Sequence, residues 1–417
     1  MRDVGVAGLG ANSEIVPLRI LIVSSLFSPW RLGGAEVVAE STADALSRLG
    51  HEVHVLTLSP NQDKTQSNYG GYQVRRVPLV NVYSIQDMSL ATIFQRVRWH
   101  IKDRWNDAMG IIFRSELMII RPDVVLLHNI AGFSISIYKE LARASIPFVQ
   151  VLHDHYFSCL YSTMYRSSRI CTKQCMRCIL MRKGHLATTR LASGVIGVSS
   201  YILTQIKSMG YFSDVPSLII KNLSPEPQAA KAALAYHRST FKDNCVIGFL
   251  GTLTESKGIF DLLSAFQQVA RPSDRLILAG TINMTAHRLH SLIKDDIRIS
   301  HVGIVDRDVF FASIDILVVP SRVREAFGLV VQEARFRGVL TVVSNRGALP
   351  EIVADTPLSY VYDPDQSNSL AAVLKDVLAN NNNWKHGTGI SNSDYIKLKS
   401  DWDRSYETAL LNCVHQM

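Results

Sequence analysis

The feature that most limits what this chain can fold into is a repeated alternation of short apolar runs and helix-length segments. RILIVSS (residues 19–25) is followed by the loop LFSPWRLGGAE and by a helical pattern through VVAESTADALSRLG, which Gly50 can close. HEVHVLTL (51–58) comes next, so the chain opens as strand–helix–strand, the start of a parallel sheet. DVVLLH (123–128), PFVQVLH (147–153) and GVIGVS (194–199) continue the series. It pauses over 221–241, a stretch rich in Pro and Ala with little strand character. Then it restarts with CVIGFLG (245–251), RLILAG (275–280), IRISHVG (297–303), DILVVPS (315–321), LTVVSN (340–345) and LSYVY (358–362). The fold class this predicts is α/β, with two doubly wound Rossmann-like domains facing across a cleft. The expected divisions are a loose tail at 1–17, a first domain at 18–224 and a second at 242–394. A final helix at 395–417, carrying Trp402 and Tyr406, is expected to cross back to the first domain.

Composition narrows the function classes. With 47% hydrophobic and 19% charged residues, the 417-residue chain is globular and long enough for two domains. No apolar run approaches the roughly 20 residues of a membrane-spanning helix, and residues 1–17 lack the apolar stretch of a signal peptide. Six cysteines in a chain of this length point to a reducing compartment rather than a disulfide scaffold. The expected location is therefore cytoplasmic. A formal charge of +8 suggests an anionic partner. Nucleic acid is set aside, because no recognition helix or aromatic-rich strand surface is visible.

The chemistry concentrates at strand ends. In REAFGLVVQEA (324–334), Glu325 falls in the loop after a buried strand, and Gly328 opens a helical pattern of about three turns that Gly338 stops. Free N–H groups at such a helix start, at Gly328 and Leu329, favour an anion such as a diphosphate. Glu333, over a turn inside, can accept hydrogen bonds from ribose hydroxyls. On spacing alone, two solvated glutamates are the better account. In GFLGTLTESKGIFDLLSAF (248–266) a strand ends at Gly251, and Lys257–Gly258 open a helix. Lysine opposes the dipole there, which is easier to understand if it neutralises a phosphate; the plain account is an exposed loop lysine. RLGGAE (31–36) places Gly33 and Gly34 at the first strand–helix junction, where backbone can approach a ligand or simply turn.

Together these segments resemble the family 4 retaining glycosyltransferases, which have the GT-B fold. VVPSRVREAFGLVVQEA is similar to the family's donor signature, LTESKG to its phosphate-binding lysine loop and SNRGALPEIV (344–353) to its Gly-Pro-Glu segment. RLGGAE matches its glycine loop and KNLSPEP its linker entry. The resemblance covers about residues 19–402. It implies that Glu325 contacts the transferred sugar, Glu333 holds the ribose and Lys257 pairs the diphosphate. The donor-binding set is then Gly33, Gly34, Gly251, Thr252, Lys257, Phe327, Gly328, Leu329 and Glu333. The family usually has arginine where this chain has Thr252, so one cation is missing and Lys257 and the helix dipole must carry more; either another basic residue such as Arg322 or Arg324 substitutes, or donor affinity or activity is lower. VLHDHYF (151–157) matches the family's first-domain histidine. The resemblance implies that His153 faces the donor sugar and is catalytic with Glu325, with Asp154 or His155 orienting it.

Two further segments invite specific expectations. CLYSTMYRSSRICTKQCMRC (159–178) holds Cys159, Cys171, Cys175 and Cys178 at a spacing that suits a structural zinc ion, against which stand four reduced thiols in a loop. It follows His153 and is rich in Arg and Lys, so it is expected to shape the acceptor side. In IFQRVRWHIKDRWNDAMGIIFR (93–114), Phe94, Val97, Ile101, Trp105, Ala108 and Ile112 recur at helical spacing among basic residues. Such a helix can lie on an anionic membrane, or pack its apolar face on its own domain.

The expected activity is transfer of a sugar from a UDP- or GDP-sugar to a saccharide or lipid-linked acceptor at the inner face of the cytoplasmic membrane, with no cofactor for catalysis. A GT-B sugar-nucleotide epimerase and a non-catalytic nucleotide-sugar-binding regulator are the alternatives. The sequence leaves the donor base, sugar and linkage open.

Overall fold

The computed structural model describes residues 16–31, 33–85, 87, 90–227, 244–282, 293, 295–380 and 389–415. Residues 1–15 of the expected tail and 228–241 of the expected link lie outside these.

Two parallel sheets organise the chain. The first contains β1 (Arg19–Ser24), β2 (Glu52–Leu58), β3 (Thr65–Tyr69), β4 (Tyr72–Val77), β5 (Val124–Asn129) and β6 (Phe148–Leu152). A separate two-stranded hairpin, β7 (Tyr165–Arg166) and β8 (Arg169–Ile170), interrupts the series before β9 (Gly194–Gly197) and β10 (Ser217–Ile219) complete the sheet. Its order is β10-β9-β6-β5-β1-β2-β4-β3, with only β3 antiparallel to its neighbour. β3 reads TQSNY and is exposed throughout, so this polar edge offers no apolar template for another chain. The second sheet contains β11 (Val246–Leu250), β12 (Arg275–Ala279), β13 (Ile299–Gly303), β14 (Ile316–Val319), β15 (Leu340–Ser344) and β16 (Ser359–Tyr362). It runs β13-β12-β11-β14-β15-β16, all parallel. The expected pair of Rossmann-like sheets is present.

Helices cover both faces of each sheet, and for that reason the strands read as continuous apolar runs rather than alternating ones. In β14, Ile316 and Val318 fill one face of the second sheet with Phe249, Leu262 and Phe266. Leu317 and Val319 point the other way, into an apolar cluster that also includes the first domain's core. The order reverses between β1 and β5 in one sheet and between β11 and β14 in the other. Crevices at such reversals, beyond the strands' carboxyl ends, are where open α/β sheets bind ligands.

Polar contacts join the halves. Ser199 Oγ donates to the Ala326 carbonyl (2.6 Å). The Glu351 carboxylate accepts the N–H groups of Ser200 and Tyr201 (3.1 and 3.3 Å), so a side chain of the second domain caps the first-domain helix Ser200–Ser208. Gln332 bonds both the Ser224 N–H and the Asn222 carbonyl. The last helix, Asn392–His415, packs on β5 and β6 of the first sheet, with Trp402 Nε1 donating to the Lys221 carbonyl (2.9 Å).

Candidate functional site

The reversal between β11 and β14 gathers most of the sequence-selected residues. Beyond Gly251, a short turn at Glu255–Lys257 is closed by Gly258 at φ 75°. A Cβ at Gly258 would lie 1.7 Å from the Pro320 carbonyl oxygen, so only glycine lets this loop press on the end of β14. That approach carries Lys257 Nζ to 2.7 Å from Glu325 Oε1, which also accepts from Ser321 Oγ at 2.6 Å. Burial pulls the Glu325 carboxyl upward, but the Lys257 charge and the hydrogen bonds from Lys257 and Ser321 outweigh it and hold the group below its usual value. The sequence assigned these two residues separate tasks; the structure makes them one ion pair. Gly347, at φ 64°, passes so close to Glu325 that a Cβ would meet its carbonyl oxygen at 2.1 Å, and Ala348 N–H donates to that oxygen.

Gly328, at φ 105°, turns the chain into the helix Leu329–Phe336, which has eight residues rather than the expected three turns. Phe327 is buried in the core, so its side chain anchors the turn instead of lining an open surface. Glu333 is buried too. One carboxylate oxygen pairs with Arg307, while Oε2 is buried without a hydrogen-bond partner. Burial raises this carboxyl despite the nearby Arg307 and Arg337. Arg307 carried no motif and was not found from sequence.

Thr252 lies half-buried beyond Gly251. Of the two arginines expected to replace the missing cation, Arg322 is committed elsewhere, forking onto Asp261 at 2.7 and 2.5 Å. Arg324 instead stands beside Tyr201 and His155, facing the first domain.

The first domain meets this cluster through its glycine loop. Gly33 N–H donates to Glu36 (2.8 Å), and a Cβ at Gly34 would lie 2.6 Å from Leu329 Cδ1. The glycine loop therefore abuts the start of the Leu329–Phe336 helix, as required if both face one ligand. His153 follows β6. Its Nε2 lies 2.9 Å from Nδ1 of His128, the two rings nearly parallel with centroids 5.1 Å apart. Burial pushes His153 down to about 3 and His128 well below the usual range, so both are neutral. The expected orienting groups are occupied otherwise. Asp154 accepts the Tyr156 N–H (2.7 Å), its carboxyl pushed up to about 6 by burial. His155 approaches the Tyr201 hydroxyl at 3.4 Å. His128 was missed, although DVVLLH and PFVQVLH both end in histidine and their strands are neighbours.

The cysteine segment forms a small core of its own from Cys159, Leu160, Met164 and Cys178, with Cys171 and Cys175 packed against it. The Cys178 thiol hydrogen-bonds with both Cys159 and Cys175. Among the described residues no group of three or more His, Cys, Asp or Glu side chains is arranged to hold a metal ion, so this geometry lends the expected zinc site no support. The segment does reach the cleft: Ser168, in the β7–β8 turn, donates to Glu255 of the lysine loop.

The expected single helix over 93–114 is two, Ile93–Arg104 and Asp107–Ile120, broken where Asn106 caps the second through the Met109 N–H. The buried face of the first is Trp99 and Asp103. Ile93, Phe94, Ile101 and Trp105 are exposed, 82% and 70% for the first two, so the helix turns much of its apolar stripe outward. Among the described residues no helix is long and apolar enough to cross a membrane.

Residues 32–219 match the family described as Glycosyltransferase Family 4, and residues 244–380 the one described as Glycosyl transferases group 1. An uncharacterized 42.6 kDa protein in the cps region of Klebsiella pneumoniae is 24% identical over 352 residues, 84% of this chain and 91% of its own. The Escherichia coli O-antigen chain mannosyltransferase B is 35% identical over 133 residues, 30% of this chain and 34% of its own. The fold is similar to that of Anabaena HepE in complex with UDP and glucose, with a TM-score of 0.64, 17% identity, and coverage of 96% of this chain and 98% of that one.

Proposed function

The chain belongs to the family 4 glycosyltransferases, and from that premise we propose that it moves a sugar from a nucleoside diphosphate sugar to an acceptor hydroxyl with retention at the anomeric carbon. The observation that carries the donor reading is the Lys257–Glu325–Ser321 cluster at the strand-order reversal, beside the Gly328 helix start and against Gly34. Lys257 and the first N–H groups of that helix neutralise the departing diphosphate. Glu325, kept ionised by Lys257, accepts hydrogen bonds from the sugar hydroxyls. Glu333 offers its unpartnered Oε2 to the ribose. His153, neutral and half-buried, faces the sugar from the first domain. Gly33, Gly251, Thr252 and Leu329 contribute backbone and small surfaces around the diphosphate.

The acceptor is a lipid-linked saccharide or polysaccharide intermediate. Two observations support this: the outward Ile93, Phe94 and Ile101 beside Arg98 and Lys102, and the neighbouring short helix Met176–Met181, which exposes Met176 and Leu180. Apolar groups interleaved with cations suit an anionic bilayer surface. The sugar-polymer setting of the Escherichia coli relative points the same way.

Thermal-shift measurement against a panel of UDP-, GDP- and ADP-sugars tests the donor. One nucleotide should raise Tm, and Lys257→Ala should abolish that rise; no stabilisation by any of them would defeat the reading. NMR of donor with enzyme alone separates transfer from epimerisation, since a 2-epimeric sugar formed without acceptor would identify the alternative. Flotation with phosphatidylglycerol vesicles should be lost in Phe94→Glu.

A further inference from the structure

Resting on the reading of His153 just given, we propose that His128 is a positioning residue that fixes the tautomer of His153, leaving it protonated on Nδ1 and so presenting an N–H rather than a lone pair to the donor sugar.

The two imidazoles meet through His128 Nδ1 and His153 Nε2 at 2.9 Å, and a single hydrogen bond between neutral rings needs one proton between those nitrogens. Two arrangements satisfy it. In one, His153 Nε2–H donates; His128 must then carry its own proton on Nε2. That atom is buried with no hydrogen-bond partner, so an N–H donor would be stranded there. In the other, His128 Nδ1–H donates and its Nε2 is a bare lone pair. Stranded buried N–H groups are the rarer defect in folded proteins. The network therefore assigns the donor to His128, and the proton of His153 goes to Nδ1. His153 keeps some exposure, and Nδ1 is the nitrogen it has left to offer.

His128 is held for this task from three sides. Gln150 Nε2 donates to its carbonyl oxygen at 3.0 Å, and Tyr138 fixes Gln150 through a 2.6 Å bond to Oε1. β5 and β6 run side by side. Behind the ring, Tyr406 of the Asn392–His415 helix lies nearly parallel to it at 6.3 Å. The returning C-terminal helix thus supports the ring that orients His153. A neutral N–H donor beside the sugar can hold a ring hydroxyl in place through the transition state.

The test uses the full chain and has two independent readouts. Long-range nitrogen–proton NMR of histidine-labelled protein should show His153 protonated on Nδ1 in the wild type and as a mixture of tautomers in His128→Phe. Kinetically, His128→Phe keeps the ring shape and the Tyr406 stack but removes the donor, so kcat should fall roughly 100-fold with KM little changed. His128→Asn, whose amide N–H can occupy the place of Nδ1, should recover much of that loss. Finding His153 protonated on Nε2 in the wild type overturns the proposal. So does wild-type kcat in His128→Phe while His153→Ala is inactive. If His153→Ala itself is active, the assignment of His153 under the proposed function fails, and the NMR still decides the tautomer.

Discussion

The two halves of the cleft solve the burial of polar groups in opposite ways. In the second domain, Lys257 and Glu325 form an ion pair in which the lysine helps hold the Glu325 carboxyl below its usual value, and the side chains remain 38% and 17% exposed, where water reaches them. In the first, His128 and His153 are neutral, and burial is the chief reason, with the neighbouring His153 adding to it at His128. On the proposed reading, Lys257 thus supplies charge for a diphosphate on the second-domain side. On that reading the first-domain side meets the sugar with the hydrogen-bonding geometry of two neutral imidazoles rather than with a charged pair. A charged half and a neutral half facing one another across a cleft is what separate treatment of leaving group and sugar requires.

The contrast breaks most sharply at Lys257. Lys257→Met should lower kcat/KM about 1000-fold, because the main cation on the departing diphosphate is lost. Glu325 would also lose its counter-charge, and its carboxyl should rise toward or above the ordinary range. A steady-state assay together with carboxyl titration by NMR checks both; retention of activity within tenfold would remove the charged half of the comparison.

A smaller effect separates the two arginines after β14. Arg324→Ala should raise the donor KM about tenfold, roughly the value of one charge-assisted hydrogen bond, since Arg324 faces the cleft. Arg322→Ala should leave KM nearly unchanged and lower Tm, because Arg322 serves Asp261. Equal effects on KM would mean that both arginines serve the diphosphate in place of the missing cation at Thr252.

The smallest effect is a slope against pH. His100, His153, His155 and His185 are pushed down to between about 3 and about 4, chiefly by burial, and His128 lies well below normal as well. The unfolded chain takes up protons near pH 6.5 that the fold refuses, so this stability is complete above about pH 6.5 and is lost as pH falls toward the folded values. Asp154, raised to about 6, acts in the opposite sense: its contribution to stability falls as pH rises from about 4 to 6. Burial raises Glu40, Asp44, Asp103 and Glu333 as well, but Glu52, Glu140, Asp296 and Glu325 are held low and act with the five histidines, so Tm should decline from pH 6.5 to 4.5. A flat or rising Tm would show that the first domain does not hold its imidazoles neutral.

How much of this was legible in the sequence depends on the range of the forces involved. Strand-length apolar runs report burial on both sheet faces, a local property, and each run named from sequence is a strand in the fold. Glu325, Lys257 and Gly328 stand at strand ends in the order a doubly wound sheet demands, so their convergence was foreseeable; that Lys257 and Glu325 touch was not, because it depends on Gly258 lying against Pro320. Helical spacing placed Phe94, Ile101 and Trp105 on one stripe, but periodicity cannot say whether a stripe faces in or out, and here Trp99 and Asp103 take the inner side. β3 was missed because all five of its residues are exposed and polar. His128 was passed over because a lone histidine ending an apolar strand has meaning only once β6 is beside it. The cysteine spacing suggested a metal; the fold gathers the four thiols into one small cluster, and metal analysis of the purified protein decides whether they hold zinc.

Gly34 has a mechanical consequence. It lies so close to Leu329 that one added carbon would push the tip of that leucine aside, at the first turn of a helix that would otherwise welcome alanine. Gly34→Ala should therefore leave Tm close to that of the parent, the better helix former offsetting the displaced leucine, and lower kcat/KM by disturbing the start of the Leu329–Phe336 helix. The missing methyl at that position is a clearance, and the tip of Leu329 fills it.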